Sequence, residues 1–162
     1  MIHVLFVCTG NAARSIMAEA MLNDPALGRG RFRAFSAGSH PRGEVYPLAL
    51  DLLREHGVPV EGPRSKSWHE FTRPEAPPLD LVITVCDHAA GERCPVWPGR
   101  PADAHWSVPD PAAVAGGEAE RRQACRDAMR LLRARLERLA RLPVDALTRD
   151  ALERQVREIG AV

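Results

Sequence analysis

A short apolar segment at the N-terminus leads through a tight loop into a helical pattern, and this order constrains the fold most. Residues 2–7 predict a buried β-strand that ends at Thr9-Gly10-Asn11. From Ser15 onward, apolar residues recur at helical spacing. A buried strand followed at once by a helix is typical of α/β folds, in which helices cover a parallel sheet.

The rest of the chain repeats this alternation of strand and helix patterns. We therefore expect an α/β fold, a three-layer sandwich in which a central parallel sheet is flanked by helices on both faces. Further strands are predicted over residues 31–35 and 79–85, and helices over residues 46–56, 118–142 and from the capping Thr148 to just before Gly160.

The length and composition favour one domain. Residues 95–111 are rich in proline and predict an irregular connection rather than a strand or helix. A chain of 162 residues is long enough for one compact domain and short for two. We expect a single catalytic domain over residues 1–162, with a motif-bearing part over about 1–142 and a helical extension over about 143–162.

Charge and hydropathy argue against nucleic acid and membrane as partners. The formal net charge of +1 gives no global field that would attract either. Residues 1–7 lack the basic start of a signal peptide, and no apolar stretch approaches the roughly 20 residues that span a bilayer. We therefore expect a cytoplasmic protein. Because structural disulfides are rare in that compartment, any pairing among Cys8, Cys86, Cys94 and Cys125 would point to catalysis or metal binding.

The segment from Cys8 to Ser15 predicts an oxyanion-binding loop. The N–H groups between Cys8 and Arg14 can point inward around a tetrahedral anion, and the planar guanidinium of Arg14 can hold two of its oxygens. The N-terminus of the following helix favours both the anion and the Cys8 thiolate, which is the form that attacks. Ser15 can donate its hydroxyl to that sulfur. The candidate oxyanion ligands are Thr9, Gly10, Asn11, Ala12, Ala13 and Arg14.

The residue types inside the loop fit this interpretation. Gly10 and Asn11 both tolerate a positive φ, which we expect such a tight loop to require. The alternative is a buried cysteine at a strand end, followed by an ordinary turn and helix cap. The strand-to-helix placement together with the Arg14-Ser15 ending favours the oxyanion site.

The sequence resembles a known family in these motifs. Residues 4–19 and Phe35-Ser36-Ala37-Gly38 are similar to the low-molecular-weight protein tyrosine phosphatase superfamily, and the resemblance extends to about Leu142. Val108-Pro109-Asp110-Pro111 resembles the aspartate-proline pair that carries the general acid there. A carboxyl above the loop can protonate the leaving oxygen. The alternative for Pro-Asp-Pro is a plain turn.

A second pair of cysteines, Cys86 and Cys94, separates this chain from a simple phosphatase. Residues 82–95 resemble the redox segment of arsenate reductases in the same superfamily. That resemblance implies a cascade in which Cys8 attacks arsenate, Cys86 attacks Cys8 and releases arsenite, and Cys94 attacks Cys86. The resemblance implies that thioredoxin reduces the final disulfide. Because the spacing between Cys86 and Cys94 is one residue longer than in familiar relatives, glutaredoxin and mycothiol-type systems remain alternatives.

Two alternatives compete for this pair. Cys86 and Cys94 could be buried as small apolar residues, or they could bind a metal together with His88. Zinc motifs usually repeat a tighter cysteine spacing, which the sequence lacks, so we expect no metal and no cofactor. Cys125 lies on the apolar stripe of the predicted helix over residues 118–142, and we expect it to be a core thiol.

The resemblance also bears on cation binding. Asn11, Glu19 and Ser36 match positions that bind a potassium ion in some thioredoxin-linked relatives. Those relatives carry an aspartate after Thr-Ser, where this chain has Ser65-Lys66-Ser67.

Arsenate reduction is favoured over two other functions. A tyrosine phosphatase on the same fold often lines its slot with aromatic residues, and Tyr46 is the single tyrosine of this chain. A redox sensor that only binds an oxyanion needs no general acid, and Asp110 argues against it. Arsenate and phosphate are close in size and charge, so we expect weak phosphatase activity as well.

Overall fold

The computed structural model describes residues 1–91 and 94–161, the side chains of His88 and Ala90 excepted. Over these ranges, four parallel strands form one sheet in the order β2-β1-β3-β4. The predicted α/β class with a central parallel sheet is confirmed. The strands are β1 (Ile2–Cys8), β2 (Phe32–Gly38), β3 (Leu81–Thr84) and β4 (Ala102–His105).

Helices flank this sheet. Helices α1, α3 and α5 pack against one another, and α6 packs against β4. Nowhere in residues 1–91 and 94–161 is a helix both long and apolar enough to cross a membrane. The helices are α1 (Arg14–Asn23), α2 (Pro25–Gly28), α3 (Pro47–Glu55), α4 (Asp87–Gly91), α5 (Glu118–Arg141) and α6 (Arg149–Gly160), with short 3-10 turns at Trp68–Phe71, Pro111–Ala113 and Val144–Ala146.

The centre of the core is β1, which has a strand on either side. Val4 to Val7 are at most 1% exposed, as expected for an apolar run in a parallel sheet covered by helices. The Phe6 ring lies 6.3 Å from that of Trp106, and the buried Trp106 indole donates to the backbone oxygen of Val156 in α6. The last helix is therefore part of the core.

The carboxyl ends of β1 and β3 lie side by side. Val7 pairs with Thr84 of β3, and Cys8 pairs with Gly38 of β2 on the other side. Strand β2 lies on one side of β1, and β3 and then β4 lie on the other side, so the order of the strands reverses at β1. Parallel α/β sheets bind ligands at such a reversal of strand order. Cys8 and Cys86 both lie at this reversal.

The prediction of an irregular connection over residues 95–111 was wrong in one part, because that segment contains β4. The sequence Ala102-Asp103-Ala104-His105 has no β-branched residue, so local propensity gives no strand signal. The strand forms through tertiary contacts: its residues pair in parallel with β3, and Arg157 of α6 donates to the Asp103 backbone oxygen.

The other predicted elements are present with shifted ends. Strand β2 runs three residues beyond the predicted end at Phe35, and β3 is shorter than the predicted 79–85. The Thr148 cap is confirmed, since its hydroxyl oxygen accepts from the Ala151 N–H at 3.1 Å. The last helix includes Gly160 rather than ending before it. A Cβ there would lie 2.4 Å from the Trp106 ring, so the close packing of α6 favours glycine.

Candidate active site

The loop between β1 and α1 surrounds the sulfur of Cys8. This side chain is 2% exposed. The backbone N–H of Asn11 donates to Cys8 Sγ at 3.2 Å, and Ser15 Oγ lies 2.9 Å from the same sulfur. These contacts stabilise negative charge on sulfur, because two hydrogen-bond donors converge on it.

Asn11 fixes the direction of the Ser15 hydroxyl. Its backbone has a φ of 45°, in the left-handed region that asparagine tolerates better than most residues. The Asn11 side-chain NH₂ donates to Ser15 Oγ at 2.7 Å, and its oxygen accepts from the Lys66 N–H at 2.8 Å. Because Ser15 Oγ already accepts from Asn11, its own hydrogen is available for the sulfur of Cys8.

The expected positive φ is present at Asn11 but not at Gly10. At Gly10 a Cβ would lie 3.1 Å from Arg42 Nε, at the end of an exposed and flexible side chain that could shift. Gly38 on the neighbouring strand is more constrained, since a Cβ there would lie 2.5 Å from the Thr9 backbone oxygen. Close packing around the loop thus explains the glycine at position 38.

Arg14 and Asp110 face each other across the mouth of the loop. One guanidinium nitrogen of Arg14 lies 3.5 Å from Asp110 Oδ2, and another donates to the Val108 oxygen at 3.0 Å. Asp110 Oδ1 accepts from the Ala112 N–H at 3.0 Å. A narrow cavity lies between them, lined by Cys8, Gly10, Asn11, Ala12, Ala13, Arg14, Arg42, Asp110 and Ala112.

Arg42 is a residue of this cavity that the sequence analysis did not single out. Its backbone N–H donates to the Gly10 oxygen at 2.9 Å, and its side chain covers Gly10. A second arginine at the mouth adds positive charge where an anion would enter. A single arginine 28 residues after the loop arginine gives no local sequence signal.

Cys86 lies directly behind the same loop. It is 2% exposed, and its sulfur accepts from the N–H groups of Thr9 and Ala89 at 3.3 Å each. The Thr9 hydroxyl is 3.4 Å away. The structure therefore brings a second sulfur, surrounded by donors, against the residue that follows Cys8.

Cys94 lies elsewhere in the described structure. It is exposed and lines a separate cavity with Trp97, His105 and Arg157, away from the cavity that contains Cys8. Residues 92 and 93, which belong to the segment expected to carry the redox pair, lie outside the described residues. The metal alternative that used His88 involves a side chain that is also outside the described part.

A hydrogen-bonded pair holds the start of α4. His105 Nε2 lies 2.7 Å from Asp87 Oδ1, and His105 Nδ1 lies 2.7 Å from the Thr84 hydroxyl. Hydrogen bonds from His105 and then Ser107 keep the pKa of the exposed Asp87 carboxyl below its usual range. The residue after Cys86 is thus attached to β4.

Glu19, one of the residues that match a potassium site, has its carboxylate in contact with Ser36 and Lys66. Lys66 is buried, and its ammonium lies 3.9 Å from Glu19 Oε1. The Ser36 hydroxyl donates to the same Glu19 oxygen. Burial raises the pKa of Glu19 and lowers that of Lys66. The donor set does not fit a potassium ion, because a lysine ammonium already supplies the positive charge facing Glu19.

Cys125 is a core thiol, as expected from its position on the apolar stripe of α5. It is 0% exposed. Burial raises the pKa of its thiol to about 11. A thiol of this kind is a poor nucleophile at neutral pH.

Comparison with known proteins agrees with this geometry. Residues 3–156 match the model of the low molecular weight phosphotyrosine protein phosphatase family. An arsenate reductase of Halalkalibacterium halodurans is 35% identical over 118 residues, which cover 73% of this chain and 80% of the relative. The chain belongs to the low-molecular-weight phosphatase family.

Solved structures give the same result. The arsenate reductase of Archaeoglobus fulgidus has a TM-score of 0.64 at 28% identity, covering 85% of this chain and 98% of that one. A thioredoxin-dependent arsenate reductase of Corynebacterium glutamicum has a TM-score of 0.62 at 27% identity, covering 86% of this chain and 60% of that one. Within this family, the chain is therefore similar in sequence and in structure to arsenate reductases.

Proposed function

We propose that this chain is an arsenate reductase in which Cys8, Cys86 and Cys94 carry the electrons. The observation that carries the proposal is the contact between Cys86 and the loop, where the Thr9 N–H donates to Cys86 Sγ at 3.3 Å. A phosphatase finishes its reaction with water and needs no second sulfur there. Reduction of arsenate needs two electrons, which a pair of thiols supplies.

In the first step, the Cys8 thiolate attacks arsenic and one arsenate oxygen leaves as water. The thiolate is stabilised by the Asn11 N–H and the Ser15 hydroxyl. The departing oxygen takes its proton from Asp110, the general acid proposed here. The Thr9 and Asn11 N–H groups donate to the sulfurs of Cys86 and Cys8, so we expect Arg14 and the other N–H groups of the loop to hold the remaining oxygens. Arsenic is still As(V) in this Cys8 adduct.

In the second step, the Cys86 thiolate attacks Cys8 Sγ. The sulfur–arsenic bond breaks, its electron pair stays on arsenic, and arsenite leaves as As(III). A Cys8–Cys86 disulfide forms, so the two sulfurs together lose the two electrons that arsenic gains. The hydrogen bonds from Thr9 and Ala89 to Cys86 favour the thiolate that this attack requires.

In the third step, Cys94 attacks Cys86 and releases the Cys8 thiolate. The resulting Cys86–Cys94 disulfide requires an external dithiol, and we propose thioredoxin for this role. The similarity to a thioredoxin-dependent relative supports that choice. Three reduced thiols are needed at the start of each cycle, which suits the reducing cytoplasm.

The test is formation of arsenite from arsenate by the purified protein with thioredoxin, thioredoxin reductase and NADPH. We expect multiple turnovers by the wild-type protein, none by Cys86→Ser, and unchanged turnover by the core control Cys125→Ser. Aryl phosphate hydrolysis without any arsenite, in wild type and Cys86→Ser alike, would instead identify a phosphatase.

A further inference from the structure

A buried arginine outside the oxyanion loop has no evident role in stability. Arg135 lies in the middle of α5 and is 8% exposed. Burial lowers its pKa, and no charged group in the described part of the chain offsets that effect. Its Nε is buried and has no hydrogen-bond partner within residues 1–91 and 94–161. A buried charge without a partner is destabilising, so its presence calls for another explanation.

One contact of Arg135 points to the segment that carries Asp110. Its guanidinium donates to the Ser107 backbone oxygen at 2.9 Å. The next carbonyl, that of Val108, accepts from Arg14 at 3.0 Å. Two arginines, one from α5 and one from the oxyanion loop, therefore hold consecutive carbonyls of the same segment.

The N–H groups of this segment are held from β3. Trp106 N–H donates to the Thr84 oxygen at 2.8 Å, and Val108 N–H donates to the Val85 oxygen at 3.2 Å. Pro109 has no N–H to donate. The backbone just before Asp110 is thus fixed through its N–H groups by the sheet and through its carbonyls by Arg14 and Arg135.

We infer that Arg135 is a positioning residue for Asp110, which holds the segment 106–108 so that the carboxyl stays above the oxyanion loop. The inference rests on the proposed function through the acid role of Asp110. Arg14 alone is a poor anchor during catalysis, because its guanidinium must also hold the oxyanion. Arg135 lies outside the cavity lining, so its bond to Ser107 does not compete with anion binding.

The consequence is measurable because a general acid matters most when the leaving group is a strong base. Phenolate from phenyl phosphate needs a proton, whereas p-nitrophenolate leaves easily without one. We expect Arg135→Met to lower kcat/KM for phenyl phosphate by about tenfold or more and kcat/KM for p-nitrophenyl phosphate by less than about threefold, since kcat/KM reports the step in which the leaving group departs. Asp110→Asn should produce the same selectivity, with a larger loss.

Three controls separate positioning from folding. Arg135→Lys keeps the charge and one donor, so its kcat/KM for phenyl phosphate should lie between those of Arg135→Met and wild type. Arg138→Met removes an exposed arginine from the same helix and should change nothing. The melting temperature of Arg135→Met should equal or exceed that of wild type, since an uncompensated buried charge is removed. If Arg135→Met fails to fold, the same comparison is made with Arg135→Lys.

The same variants can be compared on arsenate instead of an aryl ester, by the rate of the first turnover that forms arsenite. Loss of rate in Arg135→Met and in Asp110→Asn, with Arg138→Met unaffected, would support the inference. A leaving-group effect in Asp110→Asn but not in Arg135→Met would overturn it and leave the proposed function intact. Absence of the effect in Asp110→Asn would also overturn it, because no acid would remain to be positioned. Absence of arsenite from wild type would contradict the proposed function itself.

Discussion

The oxyanion loop and the segment from Cys86 to Cys94 carry three thiols between them, yet they are built differently. In the loop, the Cys8 sulfur contacts Asn11 and Ser15, and Asn11 is itself bonded to Lys66. In the second segment, Cys86 is buried at the start of a five-residue helix, while Cys94 is exposed and lines a different cavity.

The difference matches two requirements of the proposed cascade, a rigid loop around Cys8 and a segment in which Cys94 can move to Cys86. The loop holds its groups in place before substrate binds, which is how a site stabilises charge that develops in a transition state. The second segment must bring Cys94 from its own cavity to Cys86. We expect a helix of five residues with exposed terminal residues, Asp87 and Gly91, to rearrange at little cost in free energy.

Cys8→Ser should abolish both reactions of the loop. A serine hydroxyl is almost never ionised at neutral pH, so arsenate reduction and p-nitrophenyl phosphate hydrolysis should each fall by at least about 10³-fold. The measurement is steady-state turnover of both substrates by purified protein with an unchanged circular dichroism spectrum. Retention of either activity would contradict Cys8 as the shared nucleophile.

Arg14→Lys should be severely impaired although its charge is kept. A lysine ammonium cannot hold two oxygens in a plane, and it loses the second contact with the Val108 oxygen or Asp110. We expect kcat/KM for p-nitrophenyl phosphate to fall by on the order of 10²-fold. Arg138→Lys, on the exposed face of α5, is the matched control. A kcat/KM close to the wild-type value would mean that Arg14 does not clamp the anion.

His105→Ala should affect the second segment and spare the loop. Removing the bond to Asp87 frees the start of α4, and because the Asp87 carboxyl is exposed we expect an effect of a few-fold at most. We expect Cys86–Cys94 disulfide formation after one turnover to accelerate by up to that factor, measured by rapid quench and mass mapping. A slower step would indicate that the pair guides Cys94 instead of restraining the helix.

Cys125 should be the least reactive of the thiols. Its burial and its pKa of about 11 predict that at pH 8 it reacts with a water-soluble disulfide reagent only on unfolding. The exposed Cys94 should react first. Peptide mapping after partial labelling checks this order. Rapid labelling of Cys125 in the folded protein would contradict its place in the core.

The loop could be predicted from sequence because it is local. Its proposed nucleophile, clamp and ligands all lie within residues 8–15, between a strand and a helix that are each evident from their patterns. The same holds for most of the sheet and for the cap at Thr148. The Pro-Asp-Pro context and the family resemblance pointed to Asp110, which the structure places at the cavity beside Arg14; its role as general acid stays a prediction.

The contacts that the sequence did not predict join residues that are far apart along the chain. Arg42 covers Gly10, and Arg135 reaches Ser107 across 28 residues. Strand β4 exists because β3 and α6 pair with and cover it, and its own residues have little strand propensity. No spacing rule encodes such contacts, since they depend on how the elements pack.

The difference between loop and segment is tested most directly by Cys94→Ser. In this variant Cys8 still attacks arsenate and Cys86 still resolves the adduct, so one arsenite should form per enzyme. The product should be a Cys8–Cys86 disulfide enclosed in the oxyanion site, where thioredoxin reaches it poorly. Multiple turnover should therefore fall sharply, while aryl phosphate hydrolysis should barely change.

The measurement is a rapid-quench count of arsenite per Cys94→Ser enzyme, with mass mapping of the disulfide. The account predicts a burst of one arsenite and a trapped Cys8–Cys86 bond. Full multiple turnover with thioredoxin would remove Cys94 from the mechanism and contradict the cascade.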